Sequence, residues 1–170
     1  MFRPKNRTSK MPPKKPIFTF LTTNFRQTRV LGKALAEFAP FYFKTKRDKA
    51  LLLALTGDLG GGKTTFSQGL GKGLGVKEKI LSPTFVIIRK YKIRKKKTAF
   101  KNFFHIDCYR IKSPEGLFLL GFKEIISNPD NIIALEWAER VRKVLPKNIL
   151  TLNFKFVDKN TRRIEVTSRF

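Results

Sequence analysis

At 170 residues the chain has the length of one domain, enough to bury roughly two thirds of the surface its unfolded form would expose. A hydrophobic content of 41%, including 17 Phe, excludes a disordered chain, and a net charge of +25 at pH 7 means either an attraction for polyanions such as nucleic acid or a solvated basic surface. The single cysteine, Cys108, excludes an intramolecular disulfide and a thiolate-rich metal site.

Residues 1–16 hold four prolines and six cations with no apolar period, which predicts a flexible basic arm ahead of one domain over 17–170. IFTFL, which follows, is too short for the apolar centre of a signal peptide, and no run of eighteen apolar residues occurs. The expected location is therefore the cytoplasm. Thr22 or Thr23 is placed to cap a helix in which Val30, Leu31, Ala34, Leu35 and Phe38 form one face, about four turns long and ending before Pro40. ALLLALT (50–56) reads as a strand buried on both faces of a parallel sheet, a type that needs crossover helices. TTFSQGLGKGLG (64–75) supplies one. Phe66, Leu70 and Leu74 lie on one side, three interior glycines each cost about 1 kcal/mol, and Gly75 is placed to end the helix.

TFVIIRKYKI (84–93) and TAFKNFFHID (98–107) read as a hairpin with the charged tip RKKK (94–97). Ser113 and Pro114 open a short helix that Gly121 closes, and NIIALEW (131–137) is a second buried strand. ILTLNFKFV (149–157) and RRIEVTSRF (162–170) form an antiparallel pair around DKNT. The expected fold is α/β of the P-loop NTPase type, a mostly parallel central sheet with antiparallel edge strands and helices on both faces.

After the first buried strand comes GDLGGGKTT (57–65). Gly57-x-x-x-x-Gly62-Lys63-Thr64 is the phosphate-binding P-loop pattern, in which glycines allow successive backbone N–H groups to face phosphate oxygens. The lysine adds a point charge and Thr64 a hydroxyl for Mg²⁺. A triphosphatase also needs a carboxylate near the metal at the end of a second buried strand, and both Glu136 and Asp107 qualify. His105, beside aromatics, reads as a hydrogen-bonded core residue and Cys108 as a small buried hydrophobe. Trp137 either stacks on a base or fills the core.

GDLGGGKTTF, SPTF (82–85), HIDCYR (105–110), LGFKE (120–124), IALEWAER (133–140) and LP (145–146) occur in that order. Over about residues 22–167 the chain thereby resembles the TsaE family, small ATPases of bacterial tRNA threonylcarbamoyladenosine synthesis. The resemblance implies an ATPase, weak in isolation, that works with TsaB and TsaD proteins and regulates or resets that transferase pair. It implies that Leu59, Gly60, Gly61, Gly62, Lys63 and Thr64 cradle the phosphates of ATP, with Thr65 next to them, and that Thr64 and Glu136 hold Mg²⁺. Asp107 resembles the residue that positions or activates the attacking water, Thr84 a switch threonine that senses the γ-phosphate, and Trp137 the aromatic beside the metal ligand.

The chain departs from that pattern at Gly61, where the family usually has Ala, and at Cys108, where it usually has Leu. The extra glycine is expected to loosen the loop without removing an N–H donor. The basic arm and the RKKK tip lie outside the family pattern, and contact with tRNA through them is motivated by charge density alone. Arg110 is the arginine-finger candidate by resemblance, whereas Arg140 and Arg162 read as surface or sheet-edge charges. Two other readings share the P-loop. A small-molecule or nucleotide kinase would need an acceptor pocket and an arginine-bearing lid, and a nonhydrolytic RNA-binding protein would have no use for the two strand-end carboxylates.

Overall fold

The computed structural model describes residues 16–42, 48–96, 98–147 and 149–169. All but residue 16 of the expected basic arm, and Lys97 of the charged tip, lie outside these residues. Seven strands form one sheet: β1 (Phe18–Thr22), β2 (Leu51–Gly57), β3 (Ile88–Lys92), β4 (Asn102–Asp107), β5 (Asn131–Glu136), β6 (Ile149–Phe156) and β7 (Arg162–Arg169). Their spatial order is β1-β7-β6-β2-β5-β4-β3. The four central strands run parallel, with Leu53 opposite both Ala134 and Leu150, while β1, β3 and β7 pair antiparallel. The expected mixed sheet is therefore present.

The uninterrupted apolar runs are explained by cover on both faces. Leu53, Leu55, Ile132, Ala134, Leu152 and Phe154 face one core together with Phe66 and Leu70, whereas Leu52, Ala54, Ile106, Ile133 and Leu135 face the other with Leu117, Phe122 and Val141. The first core is roofed by α1 (Phe25–Tyr42) and α2 (Lys63–Gly73), the second by α3 (Phe122–Ser127) and two 3₁₀ segments, Pro114–Leu120 and Ala138–Val144. Among the described residues no helix is long and apolar enough to cross a membrane.

Several local expectations need correction. The cap of α1 is Asn24, whose Oδ1 accepts the Gln27 N–H at 3.0 Å, rather than Thr22 or Thr23; Thr23 instead donates its N–H back to Gln27 Oε1 at 2.7 Å. Pro40 lies inside the last turns of α1, not beyond them. The buried face of α1 is not the one marked by Val30 and Phe38, which are exposed; it is Gly32, Ala36 and Ala39, with Leu31 and Leu35 half-buried. The reason is the closeness of the two helices. A Cβ added at Gly32 would sit 2.2 Å from Phe66 O, and one at Gly69 would sit 2.0 Å from Arg29 O. The interior glycines of α2, unfavourable by propensity, are what permits this approach.

Residues 84–86 form a turn rather than the start of a strand, because Val86 and Ile87 both donate to Pro83 O, at 2.9 and 2.6 Å. The short helix expected between Ser113 and Gly121 is present as the 3₁₀ segment Pro114–Leu120, closed by Gly121 at φ 77°; α3, which follows at once, has no counterpart in the sequence reading. Gly75, with φ 79°, ends α2 as its composition predicts.

Candidate phosphate-binding site

Because β2, β5 and β4 are parallel neighbours, their carboxyl ends emerge together. Leu55 lies opposite Glu136, and Glu136 opposite Asp107. Ligand sites in open α/β sheets form at this end of the strands. The loop from Gly57 to Gly62 joins β2 to α2 there, with positive φ at Gly57 (106°), Gly60 (72°) and Gly62 (96°). Gly57 has a second reason to be glycine, since a Cβ would lie 2.1 Å from Phe154 O. Gly62 precedes α2 without a side-chain cap, and the first-turn N–H groups of Lys63, Thr64 and Thr65 have no intrahelical acceptor. This is the arrangement that receives an anion. Leu59 and Gly60 are exposed on the loop, whereas Gly61 is buried and donates its N–H to Asp58 O at 3.0 Å.

Lys63 is buried to 5% exposure, and its Nζ donates to Gly57 O and Asp58 O, both at 2.7 Å. The ammonium also lies 4.0 Å from the centroid of the Trp137 ring. Burial pulls its pKa below that of free lysine, and the carboxylates of Glu136, Glu139, Asp58 and Asp107 offset part of this.

Thr64 Oγ1 donates to Glu136 Oε2 at 3.0 Å, and His105 Nε2 lies 2.6 Å from the other carboxylate oxygen. Of the two strand-end carboxylates the sequence offers, Glu136 is thus the one within reach of the P-loop hydroxyl. Asp107 faces the SPTF turn instead. Its Oδ2 accepts from Thr84 Oγ1 at 2.6 Å, its Oδ1 accepts the Tyr109 N–H at 2.8 Å, and the Ser82 hydroxyl lies 2.7 Å from that of Thr84. Both carboxylates are 3% exposed. Trp137, at φ 57°, sets its ring against Lys63 and Tyr109 at the loop end of the strands.

The oxygen donors of Thr64 and Glu136 suit a hard divalent ion. Among the described residues no group of three His, Cys, Asp or Glu could enclose a metal, so such an ion would complete its shell with phosphate and water oxygens, as Mg²⁺ does. The structure thus brings Lys63, Thr64, Glu136 and Trp137 together at the carboxyl end of the sheet, with Asp107 and Thr84 one strand further on. The arginines divide differently. Arg110 lies over the exposed ring of Phe85 at 4.5 Å and Arg140 over Tyr109 at 5.9 Å, but Arg162 donates from Nε to Gly60 O at 3.0 Å. Read from the sequence as a surface or sheet-edge charge, Arg162 gives no local signal of this bond, because its partner is 102 positions away.

A family model described as "Threonylcarbamoyl adenosine biosynthesis protein TsaE" matches residues 22–164. The tRNA threonylcarbamoyladenosine biosynthesis protein TsaE of Haemophilus influenzae is 34% identical over 133 residues, spanning 78% of this chain and 80% of that protein. The protein of the same name from Rickettsia typhi is 37% identical over 131 residues, spanning 76% and 85%. Among solved structures, that of Bacillus subtilis YdiB superimposes with a TM-score of 0.68 at 27% identity, covering 90% of this chain and 86% of the other.

Proposed function

The chain belongs to the TsaE family, whose name places it in tRNA threonylcarbamoyladenosine biosynthesis, and from that membership we propose that it is the Mg²⁺-dependent ATPase of the pathway, regulating or resetting a TsaB–TsaD transferase in the cytoplasm. The observation that carries this reading is the contact between Thr64 at the mouth of the P-loop and Glu136 at the end of β5, with Asp107 one strand further along the same sheet edge.

ATP binds with its phosphates over the first turn of α2, where the N–H groups of Gly62, Lys63, Thr64 and Thr65 meet their oxygens. Lys63 offsets negative charge on the β- and γ-phosphates. Its partly desolvated ammonium is weakly screened, so its charge counts for more there than on the surface. Thr64 and Glu136 would hold Mg²⁺, which supplies charge neutralisation and alignment of the phosphates. Asp107 is held at both oxygens, by Thr84 and by the Tyr109 backbone, and retains lone pairs to orient a water in line with the γ-phosphate. Thr84 exchanges its bond to Asp107 for one to the γ-phosphate and so reports the state of the nucleotide. Trp137 closes the site on the Lys63 side and limits water access.

The deciding experiment is phosphate release from Mg·ATP by the chain alone and with TsaB and TsaD, for wild type, Lys63→Ala and Glu136→Ala. Slow turnover that rises with the partners and disappears in both variants is the expected result. Transfer to an added alcohol acceptor instead of release would replace the reading with a kinase.

A further inference from the structure

We propose that Arg162 is a positioning residue for the phosphate loop, clamping the Gly60–Gly61 peptide in the orientation that phosphate binding requires. The proposal rests on the nucleotide-binding reading above.

Arg162 opens β7, opposite Phe156 of β6 and Thr22 of β1. Its Nη1 donates to Asp158 O at 2.7 Å and Thr161 O at 3.0 Å, and its guanidinium lies over the Phe156 ring at 4.5 Å. The turn that supplies these carbonyls is itself closed, since Asp158 Oδ1 accepts the N–H groups of Asn160 and Thr161 at 2.8 Å each. The planar fork is therefore fixed before it reaches the loop, and Nε is left aimed at Gly60 O, 3.0 Å away.

The peptide that carries Gly60 O also carries the Gly61 N–H, which donates to Asp58 O at 3.0 Å. One peptide plane is thus held at both ends, by Arg162 on its oxygen and by Asp58 on its hydrogen. Packing does not do this job. A Cβ at Gly60 would meet no atom within 4 Å, and a glycine at φ 72° is conformationally free. Rotation of this plane would reverse its dipole among N–H groups that must face an anion. A second strut runs from the same hairpin, because the Phe156 N–H donates to Asp58 Oδ2 at 3.1 Å and the Asp58 N–H to Phe154 O at 3.2 Å. The β6–β7 hairpin, distant in sequence from the motif, is in this way the outer wall of the loop.

The test compares Arg162→Ala and Arg162→Lys with the neighbouring control Arg163→Ala. In the protein alone, amide exchange at Gly61 should quicken in Arg162→Ala while the unfolding midpoint stays close to wild type. With Mg·ATP, Arg162→Ala should bind about tenfold more weakly and raise KM more than it lowers kcat, in line with loss of a charge-assisted hydrogen bond. Arg162→Lys should recover part of this and Arg163→Ala should match wild type. Unchanged exchange and affinity in Arg162→Ala would overturn the proposal, and so would a loss of affinity that merely follows a fall in the unfolding midpoint. Wild type that binds no nucleotide would instead sink the functional reading on which the clamp depends.

Discussion

His105 Nε2 lies 2.6 Å from Glu136 Oε1, and neither side chain is more than 3% exposed. The other oxygen of Glu136 faces Thr64, so the carboxylate is gripped from behind by an imidazole and presents its free edge to the P-loop. The ring is in turn stacked on Phe103, with 14° between their planes. A carboxylate only accepts, so Nε2 is the donor of this contact, while Nδ1 has no hydrogen-bond partner among the described residues.

Orientation of a ligating carboxylate by a buried donor is commonly worth 10- to 100-fold in metal affinity, and a buried oxygen deprived of its donor costs about 1–3 kcal/mol. His105→Ala should therefore raise the Mg²⁺ concentration needed for half-maximal nucleotide binding by roughly that factor and lower stability to urea. His105→Gln, whose amide can donate along a similar path, should recover the Mg²⁺ dependence in part. Equal Mg²⁺ titrations for wild type and His105→Ala would show that the histidine only fills space.

Asp107 and Thr84 make a separate prediction, because their 2.6 Å bond lies at the end of β4, with β5 between it and the P-loop strand β2. Asp107→Asn keeps the shape of the side chain and an acceptor for the Tyr109 N–H, turns the Thr84 bond round so that the amide donates, and weakens the ability to orient water. The turnover rate should fall on the order of 100-fold or more with ATP affinity little changed. Thr84→Ala should have a smaller effect on turnover and should blunt any difference between ATP and ADP in tryptophan fluorescence, read from Trp137. A parallel loss of binding in Asp107→Asn would mean that the residue holds the nucleotide instead.

The parts of the molecule legible in the sequence are those whose cause is local. Gly57 to Thr64 is eight residues whose spacing states its own geometry, and ALLLALT and NIIALEW announce buried strands without reference to anything else. The buried face of α1 is hidden from sequence reading because glycine carries no hydrophobic signal. Val30 and Phe38 look like core residues, but the interface with α2 is built by Gly32, Ala36 and Gly69, whose lack of bulk is their contribution. Residues 84–87 read as strand by their β-branched and aromatic side chains, yet the Pro83 carbonyl draws the Val86 and Ile87 N–H groups into a turn, and Thr84 bonds Asp107. Glu136 and Asp107 could be named but not told apart by position, since both end buried strands. Only the register of three parallel strands brings Thr64 to one of them. Arg162 was invisible for the same reason carried further: its target is a backbone carbonyl, which no side-chain pattern advertises.

The helix interface can be tested by a substitution that propensity alone would favour. Gly69→Ala gains about 1 kcal/mol in helix propensity, but its Cβ would fall 2.0 Å from Arg29 O, a backbone atom that cannot swing aside. Overpacking costs about 1–3 kcal/mol, and a contact this short with backbone belongs at the upper end, so the net effect should be a loss of about 1–2 kcal/mol, or several degrees in Tm at roughly 2–4 °C per kcal/mol. Gly32→Ala, 2.2 Å from Phe66 O, should behave alike. Gly116→Ala is the control, since its Cβ would come no nearer than 3.9 Å to Ser113 Oγ at an ordinary φ, and it should be neutral or mildly stabilising. Thermal unfolding of the three variants separates the two influences, and a rise in Tm for Gly69→Ala would mean that the helices are less closely packed than described.

Cys108 follows Asp107 and is fully buried among the apolar residues of the second core. Burial pushes its thiol up from 9.0 to about 12, the Asp107 carboxylate adds to this, and Arg140 takes back a part. In the native protein near pH 8 the thiol is therefore protonated and shielded, and Ellman's reagent should react only as fast as the chain unfolds. The same shift has a consequence for stability. The folded pKa lies above the unfolded one, so between about pH 9 and 12 the unfolded chain has lost a proton that the native chain keeps. Stability must then fall as pH rises through that window, by at most about 1.4 kcal/mol per pH unit from this one group. Cys108→Ala removes the group and leaves a smaller side chain in the core, so it should start somewhat less stable at pH 7. Urea unfolding of both proteins from pH 7 to 10.5 should give stability curves that run parallel up to about pH 8.5 and then converge, with wild type falling more steeply. Curves that stay parallel throughout would mean that the thiol ionises in the folded chain as readily as in the unfolded one, and that water reaches it from the carboxyl end of the sheet.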